Sequence, residues 1–470
     1  MTDETRRNIS VLIADDDSDA RRHAAEDLAG ERGLAPIAAL AAALQDANKG
    51  VRDTACRSLL VTGGADAARA VVEYVCSPNI VTRNLATDLL MKIGLPGVPA
   101  LLPYLKDVDH DVRKAVVDVF GLIEGNVQVG PVLELLSDPD PNVVVSAVEA
   151  LGNMKSPLGV AGLEETFERC DYARPAVAEA LGKTGDPRSR DFVMAKLRHS
   201  LARVSEDPLT LLGLVEAAGA VGGNDALDLL ARGYGGIPPG IRAAALHAIA
   251  RIASRTGTPL PPLPGIESVL AGMLNMEDLQ VRTSAATWLR QRAGAESVAA
   301  MVQAYGASPE VDALLAGALM DRRESLPALA AALEGGPGPS ARGKAALLSQ
   351  LILARIRAVM RTGEAPSEEG LIASAFDAVA RAWENADQDT RSSLIDAMFR
   401  LDGDRAVQFL DAILEQPDPW LRMHVIEVIA AIADSRAPVY LTRFLNDEDE
   451  MVRELAENVL RAKGFVSDEA

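Results

Sequence analysis

Aromatic residues make up only 4% of this chain, with three tryptophans, six tyrosines and eight phenylalanines in 470 residues. Strands draw on aromatic and β-branched clusters, and their scarcity argues against a sheet-based core. Cysteine is almost absent. Cys56, Cys76 and Cys170 are odd in number and lack metal-ligand spacing, which excludes a disulfide framework or a zinc site. They read as ordinary core thiols, Cys56 and Cys76 at positions expected to be small and buried. The five histidines (His23, His110, His199, His247, His424) are scattered and none precedes a glutamate. There is no Ser-His-Asp order, no glycine-rich phosphate loop and no CxxC pair. The sequence therefore offers no catalytic residue, no metal ligand set and no cofactor site. No stretch approaches 18 uncharged apolar residues, so no membrane-spanning helix is expected. The N-terminus lacks the basic-then-apolar pattern of a signal peptide, and the expected location is the cytoplasm. Basic residues are also short: 47 against 67 acidic, for a net charge of −20. Such a chain lacks the phosphate-neutralising footprint of a nucleic-acid binder, and an anionic membrane surface would repel it.

What the chain does have is repetition. "VRDTACRSLL" at Val51, "VRKAVVDVF" at Val112, "IRAAALHAI" at Ile241, "VRTSAATWL" at Val281 and "VRELAENVL" at Val452 are versions of one phrase. The intervals Arg52 to Arg83, Arg83 to Arg113, Arg391 to Arg422 and Arg422 to Arg453 are 31, 30, 31 and 31 residues. A fixed period in this range marks a solenoid, whose core extends in one dimension and escapes the size limit of a single globule. The 48% apolar content is carried by alanine, leucine and valine, as closely packed short helices require.

Residues 97–125 display the unit. Val98, Leu101, Leu102 and Leu105 fall at helical spacing. "DVDHD" is a polar turn whose aspartates can cap the next helix. Val112, Ala115, Val116, Val119 and Phe120 form a second stripe, and "GLIEG" ends it. A hairpin of two helices with one apolar face each cannot bury both alone, so it must stack. The phrase Asp-x-x-Val-Arg-x-x-Ala-x-x-x-Leu-Gly resembles the HEAT repeat, in the short bacterial version called HEAT-like or bilin-lyase-like, from about Leu12 to Gly464. The resemblance implies an all-α, right-handed α-solenoid of about a dozen hairpins with capping half-repeats.

The expected layout is an N-terminal capping half-repeat (1–30), repeats over 31–253, a proline-rich connection (254–264), repeats over 265–464 and a tail (465–470). The two arrays are expected to form one continuous bent solenoid, with "PLPPLP" as a spacer. "GYGGIPPG" (233–240) and "GGPGPS" (335–340) read as irregular turns. "VLIADDD" at 11–17 resembles the first strand and acidic pair of a receiver domain. The nearest phosphorylatable aspartate, Asp53, falls inside a helical phrase, so the segment reads as part of the cap. Trp288, Trp383 and Trp420 lie in distant repeats and are expected to pack against neighbouring helices.

Two sets of residues stand out. Arg52, Arg83, Arg113, Arg242, Arg282, Arg422 and Arg453 open the second helices after acidic turns; the resemblance implies an Asp–Arg ladder between consecutive repeats. Five residues further on come Asp88, Asp118, Glu149, Glu179, Asp396 and Glu427, with His247 at the equivalent place between the two blocks. Stacked repeats would align these carboxylates as two acidic stripes on the second-helix surface, which the resemblance places in the concave groove. The expected function is a non-enzymatic protein-interaction scaffold whose acidic groove takes a basic segment of a partner protein. The alternative that the repeat type implies is a bilin-lyase-like protein that binds a linear tetrapyrrole and acts on a phycobiliprotein.

Overall fold

A computed structural model describes residues 1–125, 128–202, 207–292, 297–320, 322, 324–334, 341, 343–348, 350–351, 369–384, 386–415, 417–431 and 437–463. Every regular element among them is helical. The described chain divides into two compact units, Met1–Pro259 and Leu260–Ala470. The boundary lies in the proline-rich segment, although a helix runs as far as Thr256 before Gly257 ends it in the left-handed conformation, φ 71°. The turn at 335–340 and the tail at 465–470 lie outside the described residues.

The first unit is a row of helix pairs: α1 (Asp3–Ala14) with α2 (Ser18–Asp27), α3 (Leu34–Ala42) with α4 (Lys49–Thr62), α5 (Gly64–Val72) with α6 (Ile80–Ile93), α7 (Val98–Leu101) with α8 (His110–Leu122), α9 (Gly130–Glu134) with α10 (Pro141–Met154), α11 (Val160–Arg169) with α12 (Arg174–Thr184), α13 (Arg190–Ala202) with α14 (Pro208–Val221), and α15 (Asn224–Gly233) with α16 (Arg242–Thr256). The N-terminus is a complete pair and not the half-repeat expected. Only Thr5 and Leu12 of α1 are buried, two turns apart, too sparse a stripe to read as a helix. "VLIADDD" is the end of α1 and the turn into α2, where Asp17 caps the next helix; no strand forms.

The second helices start where the polar turns predict. Asn48, Asn79, Asp109 and Asp140 each accept a hydrogen bond from a first-turn amide of the helix that follows, which occupies donors no intrahelical carbonyl can reach. In this unit, from the second pair on, first helices are shorter than their partners. After α3, α7 and α9 the chain tightens into 3-10 turns at Ala43–Gln45, Leu102–Lys106 and Leu135–Ser137.

From α8 onward the second helices touch backbone to backbone. A Cβ on Gly121 would lie 2.7 Å from the Cα of Ala150, one on Gly152 2.8 Å from that of Ala180, one on Gly182 3.1 Å from that of Ala217, and one on Gly219 3.0 Å from that of Ala248. The same pair of repeat positions supplies the contact at four successive joints, through "ALG" at 150–152 and 180–182 and "AAG" at 217–219. At the position Gly121 holds in α8, α4 has Leu60 and α6 has Met91, so these earlier helices cannot approach as closely.

The second unit keeps the same grammar. Helices Glu369–Glu384 and Gln388–Leu401 form one pair; Gly403–Ala406 and Leu410–Leu414 precede Pro419–Ala431; Ala437–Leu441 precedes Glu450–Ala462. Its core includes Phe376, Leu394, Ile395, Val425, Ile426, Phe444 and Leu460.

Candidate interaction surface

The repeat-opening arginine holds the turn together. In Arg52, Arg83, Arg113 and Arg453, Nη1 donates to the carbonyl six residues back, at 2.7, 3.0, 2.8 and 2.6 Å. Arg242 instead donates from Nε to the Ile237 carbonyl at 3.1 Å. Where an aspartate stands 25 residues ahead, the same guanidinium also grips the next repeat. Arg113 reaches Asp138 through Nε and Nη2, both at 2.8 Å, and Arg422 reaches Asp447 through both, at 2.9 Å. Arg21 makes the same pair with Asp46 at 2.8 and 3.0 Å, a rung outside the expected set, which starts at Arg52. After three of the arginines no acid stands at that place: Ser77 is 25 residues after Arg52, Val108 after Arg83 and Ala307 after Arg282. The Nε of Arg282 is buried without a hydrogen-bond partner. Each rung aspartate also holds its own turn, Asp46 accepting from Asn48 N at 2.8 Å, Asp138 from Asp140 N at 2.9 Å and Asp447 from Asp449 N at 2.9 Å.

These contacts move the carboxyls. Hydrogen bonding from Arg21 holds Asp46 below its ordinary pKa against the pull of burial. Burial pushes Asp138 up, but Arg113 and the Asp140 amide outweigh it and leave the group below its ordinary value.

The carboxylate row lies on the second helices, and it is not bare. Asp88 pairs with Lys92 at 2.6 Å, Asp118 with Lys114 at 2.8 Å and Glu179 with Lys183 at 2.8 Å, each one helical turn away. Glu149 is exposed. The expected acidic stripe of the first unit is therefore a mixed row in which i,i+4 lysines offset three of the four carboxylates. The row also has a member the sequence reading passed over. Glu216 occupies the same position in α14, where Leu211 replaces the marker arginine and hides the register. Burial raises the Glu216 carboxyl and the charge of Glu179 raises it further, so neighbouring members of the row sense one another. His247 takes the next place, half-buried on α16.

In the second unit, Asp396 and His424 bridge adjacent second helices, with Oδ1 of Asp396 3.1 Å from Nε2 of His424. The hydrogen bond to Asp396 raises the imidazole pKa; burial opposes it, and the charges of Asp396 and Glu427 and the Ser392 backbone add to the rise. Glu427 is exposed. Of the three tryptophans, Trp288 and Trp383 are buried as expected, but Trp420 is 67% exposed. It stands on the face that its helix turns to solvent, while Leu421 and Arg422 beside it in the same first turn are buried.

Two hollows adjoin the second helices of the first unit. One, of about 460 Å³, runs between α6 and α8, lined by Cys76, Arg83, Asn84, Thr87, Lys114 and Asp118 among others. The other, of about 370 Å³, lies at the start of α12 and α14, with Arg174, Lys196 and His199 opposite Glu168, Asp171 and Asp207. The Arg174 guanidinium and Lys196 ammonium both sit 5.6 Å from the Phe167 ring centre, and Arg174 is held to Asp171 at 2.7 Å.

The two cysteines expected to be buried are not: Cys76 is exposed, because it falls in the turn after α5 and not on the apolar stripe, and Cys56, like Cys170, is half-covered. Asp109, His110 and Asp111 bring three ligand-type atoms within 4.8 Å, all exposed. Asp109 is already engaged as the cap of α8. No single helix among the described residues is long and apolar enough to cross a membrane.

A family model described as HEAT repeats matches residues 98–174 and 355–461. Solved structures similar to this chain include the complex of CpcE and CpcF of phycocyanin lyase from Nostoc sp. PCC7120, at 19% identity and a TM-score of 0.34, covering 49% of this chain and 91% of that one. Yeast importin-β (Kap95p) aligns at 14% identity and 0.42, covering 97% and 84%. Kap121p bound to RanGTP aligns at 11% identity and 0.45, covering 99% of this chain and 59% of that one. No curated protein matches the sequence.

Proposed function

Since this chain carries HEAT repeats, we propose that it is a non-enzymatic, cytoplasmic protein-interaction scaffold that receives a basic segment of a partner protein on the surface of its second helices. Stacked helix pairs present a long ordered surface suited to extended partners. The observation that carries the reading is the succession of carboxylates at one repeat position: Asp88, Asp118, Glu149, Glu179 and Glu216 in the first unit, Asp396 and Glu427 in the second. The lysine partners on α6, α8 and α12 are exposed i,i+4 pairs of a kind that contributes a few tenths of a kcal/mol. An incoming arginine or lysine can displace them at small cost. In a chain of charge −20 the surrounding field favours that exchange and speeds the encounter.

The test is a pulldown from native lysate with the wild-type chain and with Asp88, Asp118, Glu149 and Glu179 replaced by lysine. Captured partners should dissociate at lower salt from the variant, with a flatter salt dependence. Equal retention by both proteins at every salt concentration would remove the acidic row from the reading.

A further inference from the structure

Some members of the carboxylate row have an apolar companion, while Asp111, Asn142 and Asp389 hold that place before Asp118, Glu149 and Asp396. Seven residues before Glu427 on the same helix is Trp420; seven before Glu216 on α14 is Leu209; seven before Asp88 on α6 is Val81. Seven residues is close to two helical turns, so each pair leaves the helix on one face, about 10 Å apart along its axis. All three apolar side chains are exposed, as is Met451, which holds the Trp420 position in the last repeat. A tryptophan turned to solvent is unusual in a chain that buries its other two. Carboxylates lie near it in the chain: the Trp420 amide donates to Asp418 at 3.0 Å, Glu427 is exposed two turns along the same face, and exposed Glu448 stands in the turn before the helix that carries Met451.

Resting on the scaffold reading above, we propose that Trp420 is the anchor of a docking site in the second unit for a basic amphipathic segment of a partner protein. The partner's apolar side chains lie along the Trp420–Met451 edge, and its lysines or arginines face Glu427, Asp418 and Glu448. Charge complementarity selects this occupant: a tryptophan face attracts a cation as well as an apolar group, and the carboxylates around it repel an acidic segment. A large aromatic surface inside a polar rim is the composition of an interface hot spot.

The structure supplies its own probe. Trp288 is 0% exposed and Trp383 is also buried, so changes in emission on surface binding report on Trp420. The full chain is titrated with a synthetic helical peptide of leucine on one face and lysine on the other, and with a peptide of equal charge in which serine replaces leucine. The expected result is a saturable blue shift with the leucine peptide and roughly tenfold weaker binding of the serine peptide. By calorimetry, Trp420→Ala should raise the Kd for the leucine peptide about tenfold or more, with no change in thermal unfolding, and Glu427→Lys with Glu448→Lys should weaken both peptides. If Trp420→Ala and the serine peptide make no difference while the lysine substitutions do, the anchor is overturned and the acidic reading stands. If the lysine substitutions also leave binding unchanged, both fall.

Discussion

Arg422 donates two parallel hydrogen bonds of 2.9 Å to the carboxylate of Asp447 in the following repeat, and the two side chains are only 2% and 3% exposed. The pair is planar on planar, which only arginine among the cationic side chains can offer. It joins two repeats through a turn whose own backbone Asp447 also holds.

Arg422→Met should therefore cost the second unit about 3 kcal/mol or more, because it leaves the Asp447 carboxylate buried without its cation. Urea unfolding is the measurement. A double variant with apolar residues at both positions should recover part of the loss; equal stability of wild type and Arg422→Met would show the pair to be idle.

The depressed carboxyls of the first unit set an acid limit. Asp46 and Asp138 sit below their ordinary values, so the stability they contribute is complete above the unfolded carboxyl pKa, about 3.9. It is lost as pH falls through the lower folded value. The stability gap between wild type and Asp138→Asn should thus be full at neutral pH and close in strong acid. A gap independent of pH would contradict the assignment.

His424 works in the opposite sense. Its pKa is raised, chiefly by Asp396, so its contribution is complete below the unfolded imidazole value, about 6.5, and disappears as pH rises through the raised folded value. Melting curves of wild type and His424→Asn should differ most in mild acid and converge on the alkaline side. Asp396→Asn should weaken this pH dependence, since it removes the largest cause of the raised value.

Gly152→Ala should destabilise the first unit by about 1–3 kcal/mol, since the new Cβ meets the backbone of Ala180 and must push two helices apart. Gly272→Ala, inside the helix Glu267–Leu274 with nothing within 4 Å of the added atom, should instead stabilise by up to about 1 kcal/mol. The contrast in sign separates close packing from helix propensity.

Cys56 should resist modification. Burial, then the charges of Asp53 and Asp88, push its thiol up to about 11, so at pH 8 its thiolate fraction is about a hundredfold below that of an ordinary cysteine. Alkylation followed by peptide mapping should find Cys56 labelled far more slowly in the native chain than after unfolding.

Much of this architecture was legible because a solenoid repeats its instructions. The turn-then-arginine phrase located α4, α6, α8 and α16, and counting five residues on gave the carboxylates of α6, α8, α10 and α12. Legibility failed where one letter of the phrase was missing. Leu211 concealed α14 and with it Glu216; the thin stripe of α1 concealed a complete first pair. The lysines on the carboxylate face were invisible to a count of like positions, because Lys114 precedes its aspartate by four residues while Lys92 and Lys183 follow theirs. Trp420 is a different case: a tryptophan suggests burial, but its repeat position, two residues before the arginine, is the exposed place that Val81 and Met451 also hold.

The glycine seats between second helices also distribute stiffness. From α8 to α16 each joint rests main chain upon main chain, with little side-chain cushion to compress or slide. At the joints α4–α6 and α6–α8 that glycine position holds Leu60 and Met91, and a hollow adjoins the second of them, so the first unit is less tightly seated there. A partner that flexes the array would open it there first, like a book at its loosest binding.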